Sequence, residues 1–226
     1  MKLLLFDIDG TILNSGGAAI KAINRVFMKT YLIENAMDGI RADGKTDLLI
    51  LRDMFNKSMR RDFLPEETDG ILKDYILFLE EEIAISEGFR IMPGIPELLE
   101  ALSQREDLIL GIATGNVEQG AWIKLRRSKL DSYFKFGGFG SDSESREKLI
   151  RMAIERAKTL VNRAEEFEKV FVIGDTPFDI IHGRAAGAKT VAVATGSFPV
   201  NELKEYNPDY LFESFLDTES VIKIFY

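Results

Sequence analysis

Leu3-Leu4-Leu5-Phe6-Asp7-Ile8-Asp9-Gly10-Thr11 is the stretch that decides the fold. A short apolar run followed at once by acids reads as a buried strand with two carboxylates carried on its exit. Strand side chains alternate, so Asp7 and Asp9 point one way while Ile8 points back into the core. Two acids facing one small volume repel unless a proton or a cation relieves them, and a hard divalent ion with oxygen ligands is the simplest relief. Gly10 permits a tight turn, and Thr11 offers a hydroxyl or a helix cap. Taken alone, D-x-D-G-T also fits an acidic turn leading into a capped helix, so the remaining sequence has to decide.

Beyond Thr11 the chain passes through Asn14-Ser15-Gly16-Gly17 into a segment where Ile20, Ile23, Phe27 and Tyr31 share one helical face. Glycines 39 and 44 punctuate a polar stretch before a second apolar-periodic segment, Leu48 to Phe55. Pro65, Glu66 and Glu67 mark a helix start, and Leu72, Ile76, Leu79 and Ile83 continue it as an apolar stripe. Residues 16–87 therefore read as all-helical.

From residue 88 the pattern becomes an alternation of helices and short strands. A helix through Leu98, Leu99 and Leu102 is followed by candidate strands Leu108 to Ala113, Val170 to Ile173, Thr190 to Ala194 and Tyr210 to Phe212. A helical pattern also runs from Arg146 to Leu160. Strands separated by helices of this length imply right-handed crossovers, hence an α/β fold with a doubly wound, Rossmann-like parallel sheet. The expected organisation is a core of residues 1–15 plus 88–226, with an inserted helical cap, 16–87, emerging beside the acidic strand end like a lid.

Composition removes several classes of function. The 226 residues are 46% hydrophobic, enough for one good core and a smaller second one, so disorder is not expected. A net charge of -8 would repel a nucleic-acid backbone or an anionic membrane. No cysteine is present, which excludes disulfides, thiol nucleophiles and thiolate metal sites. The run before Asp7 is too short for a signal-peptide core or a membrane span, and no longer one follows. These features lead to the expectation of a cytoplasmic protein, a monomer or homodimer, handling a small molecule.

In a doubly wound sheet, ligands bind beyond the carboxyl ends of the strands. Asp7 and Asp9 follow the first strand, and Thr114, Gly115 and Asn116 follow Leu108 to Ala113, where a hydroxyl and backbone amides suit a phosphate oxygen. After Val170 to Ile173 comes Gly174-Asp175-Thr176-Pro177-Phe178-Asp179, in which Asp175 can complete an oxygen cage for magnesium with the first pair. Each of these residues has an ordinary alternative as a helix cap or first-turn acid, but all of them fall at the same sheet edge.

The combination resembles the haloacid dehalogenase superfamily, in particular its phosphatase branch. D-x-D-G-T at 7–11, Thr114 in Ala113-Thr114-Gly115-Asn116, and G-D-x-x-x-D at 174–179 match that family's first, second and fourth motifs in order. The third motif is a lysine or arginine at a helix start. Ser145-Arg146-Glu147-Lys148 offers two candidates, with Arg146 favoured by analogy to phosphoglycolate phosphatase-like members and Lys148 second.

The resemblance implies a magnesium-dependent phosphatase. In it Asp7 is the nucleophile that forms an aspartyl phosphate, and Asp9 is general acid and then base, with its main-chain carbonyl on the metal. Thr114 and the amides after it hold the phosphoryl group, while Arg146 or Lys148 balances its charge. Asp175 ligates magnesium and Asp179 anchors the metal shell. Gly10, Thr11, Gly115 and Asn116 line the phosphate site. Gly44-Lys45-Thr46-Asp47 is placed like the G-x-T-D stretch of the family's helical caps, so Lys45 and Thr46 become candidates for contacting the substrate, phosphoglycolate foremost. A phosphomutase of the β-phosphoglucomutase type and an inactive binding module are the competing readings.

Three other features are expected to be structural. His182, the one histidine, is assigned to the surface or to the surroundings of the site. Lys124, Arg126, Arg127 and Lys129 are expected on a solvated helix face. Gly137-Gly138-Phe139-Gly140 lacks the ending of a P-loop and reads as a flexible turn after a short strand.

Overall fold

The computed structural model describes residues 1–161 and 167–226. In chain order the elements are β1 (Lys2–Phe6), β2 (Leu13–Ser15), α1 (Ala18–Tyr31), α2 (Asp47–Met59), α3 (Pro65–Ala84) and β3 (Phe89–Ile91). There follow α4 (Ile95–Ser103), β4 (Leu108–Ala113), α5 (Glu118–Ser128), β5 (Gly137–Gly138) and α6 (Arg146–Leu160). The chain continues with β6 (Lys169–Gly174), α7 (Pro177–Ala185), β7 (Lys189–Val193), α8 (Val200–Glu205), β8 (Tyr210–Phe212) and α9 (Thr218–Lys223).

Six strands form one parallel sheet in the order β5-β4-β1-β6-β7-β8. The apolar run that opens the chain is therefore a central strand, and all five of its residues are buried. Its alternation serves both faces. Leu4 and Phe6 belong to the cluster containing Leu99, Ile112, Phe171 and Phe225, whereas Leu3 and Leu5 join Leu149, Ala153 and Val172 on the opposite side. Ile8 lies in the first cluster, as strand parity requires. Phe6 pairs with Ile112 of β4 and with Ile173 of β6, so the residues that leave these three strands emerge side by side.

Between β2 and β3, which pair antiparallel, lie α1, α2 and α3. These helices share a core of their own around Val26, Phe27, Met54, Phe55 and Leu79, joined by Val117 and Ile123 from the α5 region. Faces shift slightly from the periodicity. In α1 the buried residues are Ala18, Ala22, Val26 and Phe27, and Ile20 is 47% exposed, because the small alanines let the helix lie close to its neighbours. In α3, Ile71 and Tyr75 are buried together with Leu79 and Ile83, while Leu72 and Ile76 sit at the margin.

The expected flexible turn at Gly137–Gly138 is instead a buried edge strand, with Ile112 paired to Gly137 and Ala113 to Gly138. Glycine is needed for space: a Cβ on Gly138 would lie 1.8 Å from the Leu149 carbonyl oxygen, on the helix packed against this strand. Backbone cannot retreat as a side-chain tip can. Gly138→Ala is expected to lower stability by about 2–3 kcal/mol through overpacking, read as a lower denaturant midpoint at unchanged slope.

Candidate active site

The three parallel strand ends deliver the site. Asp7 follows β1, Thr114 follows β4 and Asp175 follows β6, and all three side chains are buried. Carboxylate oxygens of Asp7, Asp175 and Asp179 lie within 4.8 Å of one another. Thr11 donates its hydroxyl to Asp175 Oδ1 at 2.9 Å, fixing one acid from the turn that Gly10 makes at φ 85°. Asp179 closes a capping box at the start of α7, accepting the Thr176 N–H at 3.0 Å and the Thr176 hydroxyl at 2.7 Å. The capping role and membership of the acidic cluster are thus held by the same side chain.

One cation faces these acids. Arg146, at the start of α6 and 5% exposed, donates Nη2 to Asp179 and lies 3.6 Å from Asp7 Oδ2. Burial works against its charge, but Asp179, Asp7 and Asp175 outweigh it and hold the guanidinium firmly protonated. Its Nη1 donates to the Gly44 carbonyl at 3.2 Å, and its buried Nε–H has no partner among the described residues. Lys148 is exposed, two residues along the same helix and so on its opposite side, so geometry separates the two third-motif candidates.

Three buried carboxylates against one guanidinium leave uncompensated negative charge. Burial raises Asp7 to about 7 even though Arg146 pulls it down, with Asp179 and Asp9 adding to the rise. Asp175 is pushed well above the ordinary carboxylate range by burial and by Asp179 and Asp7. The donors are all oxygen, which suits a hard divalent cation, so the residues present fit a metal ion.

Asp9 behaves differently. Its side chain is 42% exposed and stands outside the three-acid cluster, so only its main-chain carbonyl remains from the expectation that it ligates metal. Asp9 Oδ2 accepts from Lys124 Nζ at 2.6 Å and from Asn116 Nδ2 at 2.8 Å. Lys124 also donates to Asn116 Oδ1 at 2.6 Å, and Asn116 Nδ2 donates to the Thr114 hydroxyl at 2.7 Å. Lys124 is 2% exposed, which overturns its assignment to a solvated face; Arg126, Arg127 and Lys129 do lie exposed. A signal was available: Ala121, Lys124, Leu125 and Ser128 are the buried residues of one helical stripe, Arg126 and Arg127 fall off it, and Lys129 lies past the helix end as its C-cap.

The helical segment reaches the site through residues 44–47. The Asp47 N–H donates to the Gly115 carbonyl at 2.8 Å, and Asp47 Oδ2 accepts the Val117 N–H at 2.8 Å. This approach requires glycine at 115, where a Cβ would lie 2.2 Å from the Lys45 carbonyl oxygen. Burial lifts Asp47 to about 6 although Lys124 draws it down. Thr46 does not face the pocket: it is fully buried and caps α2, its hydroxyl accepting the Leu49 N–H at 3.3 Å. Lys45 does line the pocket, bound to Asp53 at 2.5 Å. His182 is half-buried and stacked on Phe178.

Residues 4–193 match the family described as haloacid dehalogenase-like hydrolase. The chain belongs to that family. Among curated relatives, it is 26% identical over 230 residues to pyrophosphatase PpaX of Anoxybacillus flavithermus, covering 99% of this chain and 98% of the relative. It is 28% identical over 209 residues to the phosphoglycolate phosphatase of Aquifex aeolicus, covering 89% of this chain and 88% of the relative. Among solved structures, a predicted phosphoglycolate phosphatase from Haemophilus somnus superposes with a TM-score of 0.71 at 20% identity, over 98% of each chain. The haloacid dehalogenase-like fold and a hydrolase family with phosphatase-named relatives are thereby established. No helix among the described residues is long and apolar enough to cross a membrane.

Two outcomes follow from this electrostatic arrangement. Because Asp7 and Asp175 titrate above their unfolded values, their own contribution to the stability of metal-free protein is greatest below about 4 and is lost as pH rises from there to about 7. A divalent ion reverses the repulsion, so the increase in Tm on adding magnesium should be larger at pH 8 than at pH 5.5, as read by calorimetry. Lys124→Met leaves Asp9 with access to water but takes the donor from the buried Asn116 Oδ1, so stability should fall by about 1–3 kcal/mol with the fold retained, read as a lower Tm. Loss of the clamp on Asp9 should nevertheless lower kcat on the order of 10²-fold in steady-state assays.

Proposed function

We propose that this haloacid dehalogenase-like hydrolase is a magnesium-dependent phosphatase that hydrolyses a small phosphate monoester through an aspartyl phosphate on Asp7. The observation that carries this reading is the buried set of Asp7, Asp175 and Asp179 around Arg146, whose unpartnered Nε–H calls for an acceptor such as a phosphoryl oxygen.

Asp7, Asp175 and Asp179 would hold magnesium, with the Asp9 main-chain carbonyl; the ion would screen phosphoryl oxygens and let an anionic nucleophile approach an anionic substrate. The protein's own groups perform the transfer. An Asp7 oxygen attacks phosphorus as the bond from phosphorus to the ester oxygen breaks, and Asp9 gives its proton to the departing alkoxide. Water then attacks the phosphorus of the aspartyl phosphate, Asp9 takes up its proton, and phosphate leaves with Asp7 regenerated. Asp9 suits both steps because Lys124 and Asn116 hold Oδ2, and Oδ1 accepts no bond among the described residues. Thr114 and the main chain of Gly115 and Asn116 would receive the phosphoryl oxygens, and Arg146 would balance charge as it moves from ester to enzyme.

Lys45 is the pocket cation contributed by the helical segment, and a second anion such as the carboxylate of phosphoglycolate would have to draw it from Asp53. Phosphoglycolate is therefore the reference ester for any assay. Phosphate release should require magnesium and stop with chelator. Asp7→Asn should abolish release by at least about 10⁴-fold while leaving the circular dichroism spectrum unchanged. Metal-loaded wild-type protein that releases no phosphate from a broad ester panel would overturn the reading.

A further inference from the structure

A second cavity, of about 60 Å³, adjoins the catalytic pocket of about 120 Å³, and the two share Ala19, Ala42, Asp47 and Ile50 as walls. From this adjacency, and resting on the phosphatase reading above, we infer that the leaving-group side of the substrate is a short, uncharged aliphatic group housed between α1, α2 and α3.

The walls beyond the shared residues are apolar save for the Tyr75 hydroxyl, among them Ile20, Ile23, Met37, Leu51 and Leu72, and no basic side chain among the described residues lines the cavity. Its one acid, Asp47, is held in place by the Val117 N–H and would repel a second anion on the substrate. Apart from the Arg146 Nε–H assigned above to the phosphoryl group, the catalytic pocket provides no cation free of an acidic partner among the described residues. Lys45 is paired with Asp53, Lys124 with Asp9, and Arg146 with Asp179 and Asp7. A doubly anionic substrate thus meets a carboxylate and cations that are already engaged, whereas an alkyl group meets aliphatic walls.

The rim supports the same occupant. Ile20 is half-exposed, and Ile23 and Leu72 are only partly buried, although the core of the three helices lies beside them. An aliphatic group entering the cavity removes this apolar surface from water. Size sets the class more narrowly. An apolar cavity of about 150 Å³ holds benzene, so one of about 60 Å³ accommodates two or three carbons beyond the carbon attached to the ester oxygen.

The test compares kcat/KM for methyl, ethyl, propyl, butyl and hexyl phosphates with phosphoglycolate, using magnesium-loaded protein and 4-nitrophenyl phosphate as a general phosphatase substrate. Each methylene transferred into the cavity should raise kcat/KM about fourfold up to propyl or butyl phosphate, with no further gain at hexyl. Propyl phosphate should exceed phosphoglycolate by about tenfold or more. Ile20→Lys places an ammonium at the half-exposed rim and should shift the ratio of propyl phosphate to phosphoglycolate at least about tenfold toward phosphoglycolate; a ratio is insensitive to partial loss of folded enzyme. A flat chain-length series, or a wild-type preference for phosphoglycolate, overturns the aliphatic subsite while leaving the phosphatase reading intact. Silence on every ester, 4-nitrophenyl phosphate included, overturns both.

Discussion

Repulsion among buried carboxylates is the constraint around which this molecule is arranged. Asp7, Asp175 and Asp179 are brought within 4.8 Å of one another by strand ends and a helix start that the sheet places side by side, and water does not screen them. Such an arrangement is unfavourable in isolation. Arg146, Thr11 and Thr176 offset part of it through an ion pair and hydrogen bonds, and the remaining imbalance is what makes the site receptive to a divalent cation. The fold supplies the rigidity this requires, since β1 lies between two parallel neighbours with its residues buried on both faces. A strand at the sheet edge could yield to the repulsion by shifting; a central one in register with β4 and β6 cannot do so without breaking two ladders.

The second acid of the first motif is kept apart from that imbalance. Asp7 and Asp9 are two residues apart, yet one is buried among acids and the other is 42% exposed and tied to Lys124 and Asn116. Different surroundings fit them to the different tasks proposed for them: nucleophilic attack for the carboxylate buried in the acidic cluster, and proton transfer for the accessible one. The cations follow the same division, with Arg146 serving the cluster and Lys124 serving Asp9. Guanidinium suits the first position because its fork can face several acceptors, and the compact ammonium suits the second, where it bridges two oxygens at 2.6 Å each.

Much of this was legible in the sequence because the signals are local. Strand exits are marked by apolar runs that end in Asp7, Thr114 and Gly174-Asp175, and parallel topology converts three local signals into one site. Lys124 is obscured in the sequence because a run of like charges carries no sign of which member is buried; its burial depends on the stripe it shares with Ala121, Leu125 and Ser128 and on partners that arrive from the β1 and β4 exits. Gly137 and Gly138 were obscured for another reason: a strand of two residues has no period to detect, and what makes it a strand is the free edge of β4 and the closeness of α6. Thr46 shows a motif residue whose local duty, capping α2, takes its hydroxyl away from the pocket.

Coupling between the helical segment and the sheet follows from the same economy of contacts. Residues 44–47 reach the core through the Gly44 carbonyl on Arg146, the Asp47 N–H on the Gly115 carbonyl and the Asp47 carboxylate on the Val117 N–H. Each of these bonds ends on, or beside, a group proposed to handle the phosphoryl oxygens. The segment that walls the leaving-group side is thereby tied to the loop that would hold the phosphoryl group, and it cannot move away without releasing an Arg146 donor and two main-chain groups at that loop. On the proposed reading, substrate choice and phosphoryl positioning then depend on one set of hydrogen bonds, so a change in the helical walls that shifts residues 44–47 also disturbs the chemistry proposed at Asp7.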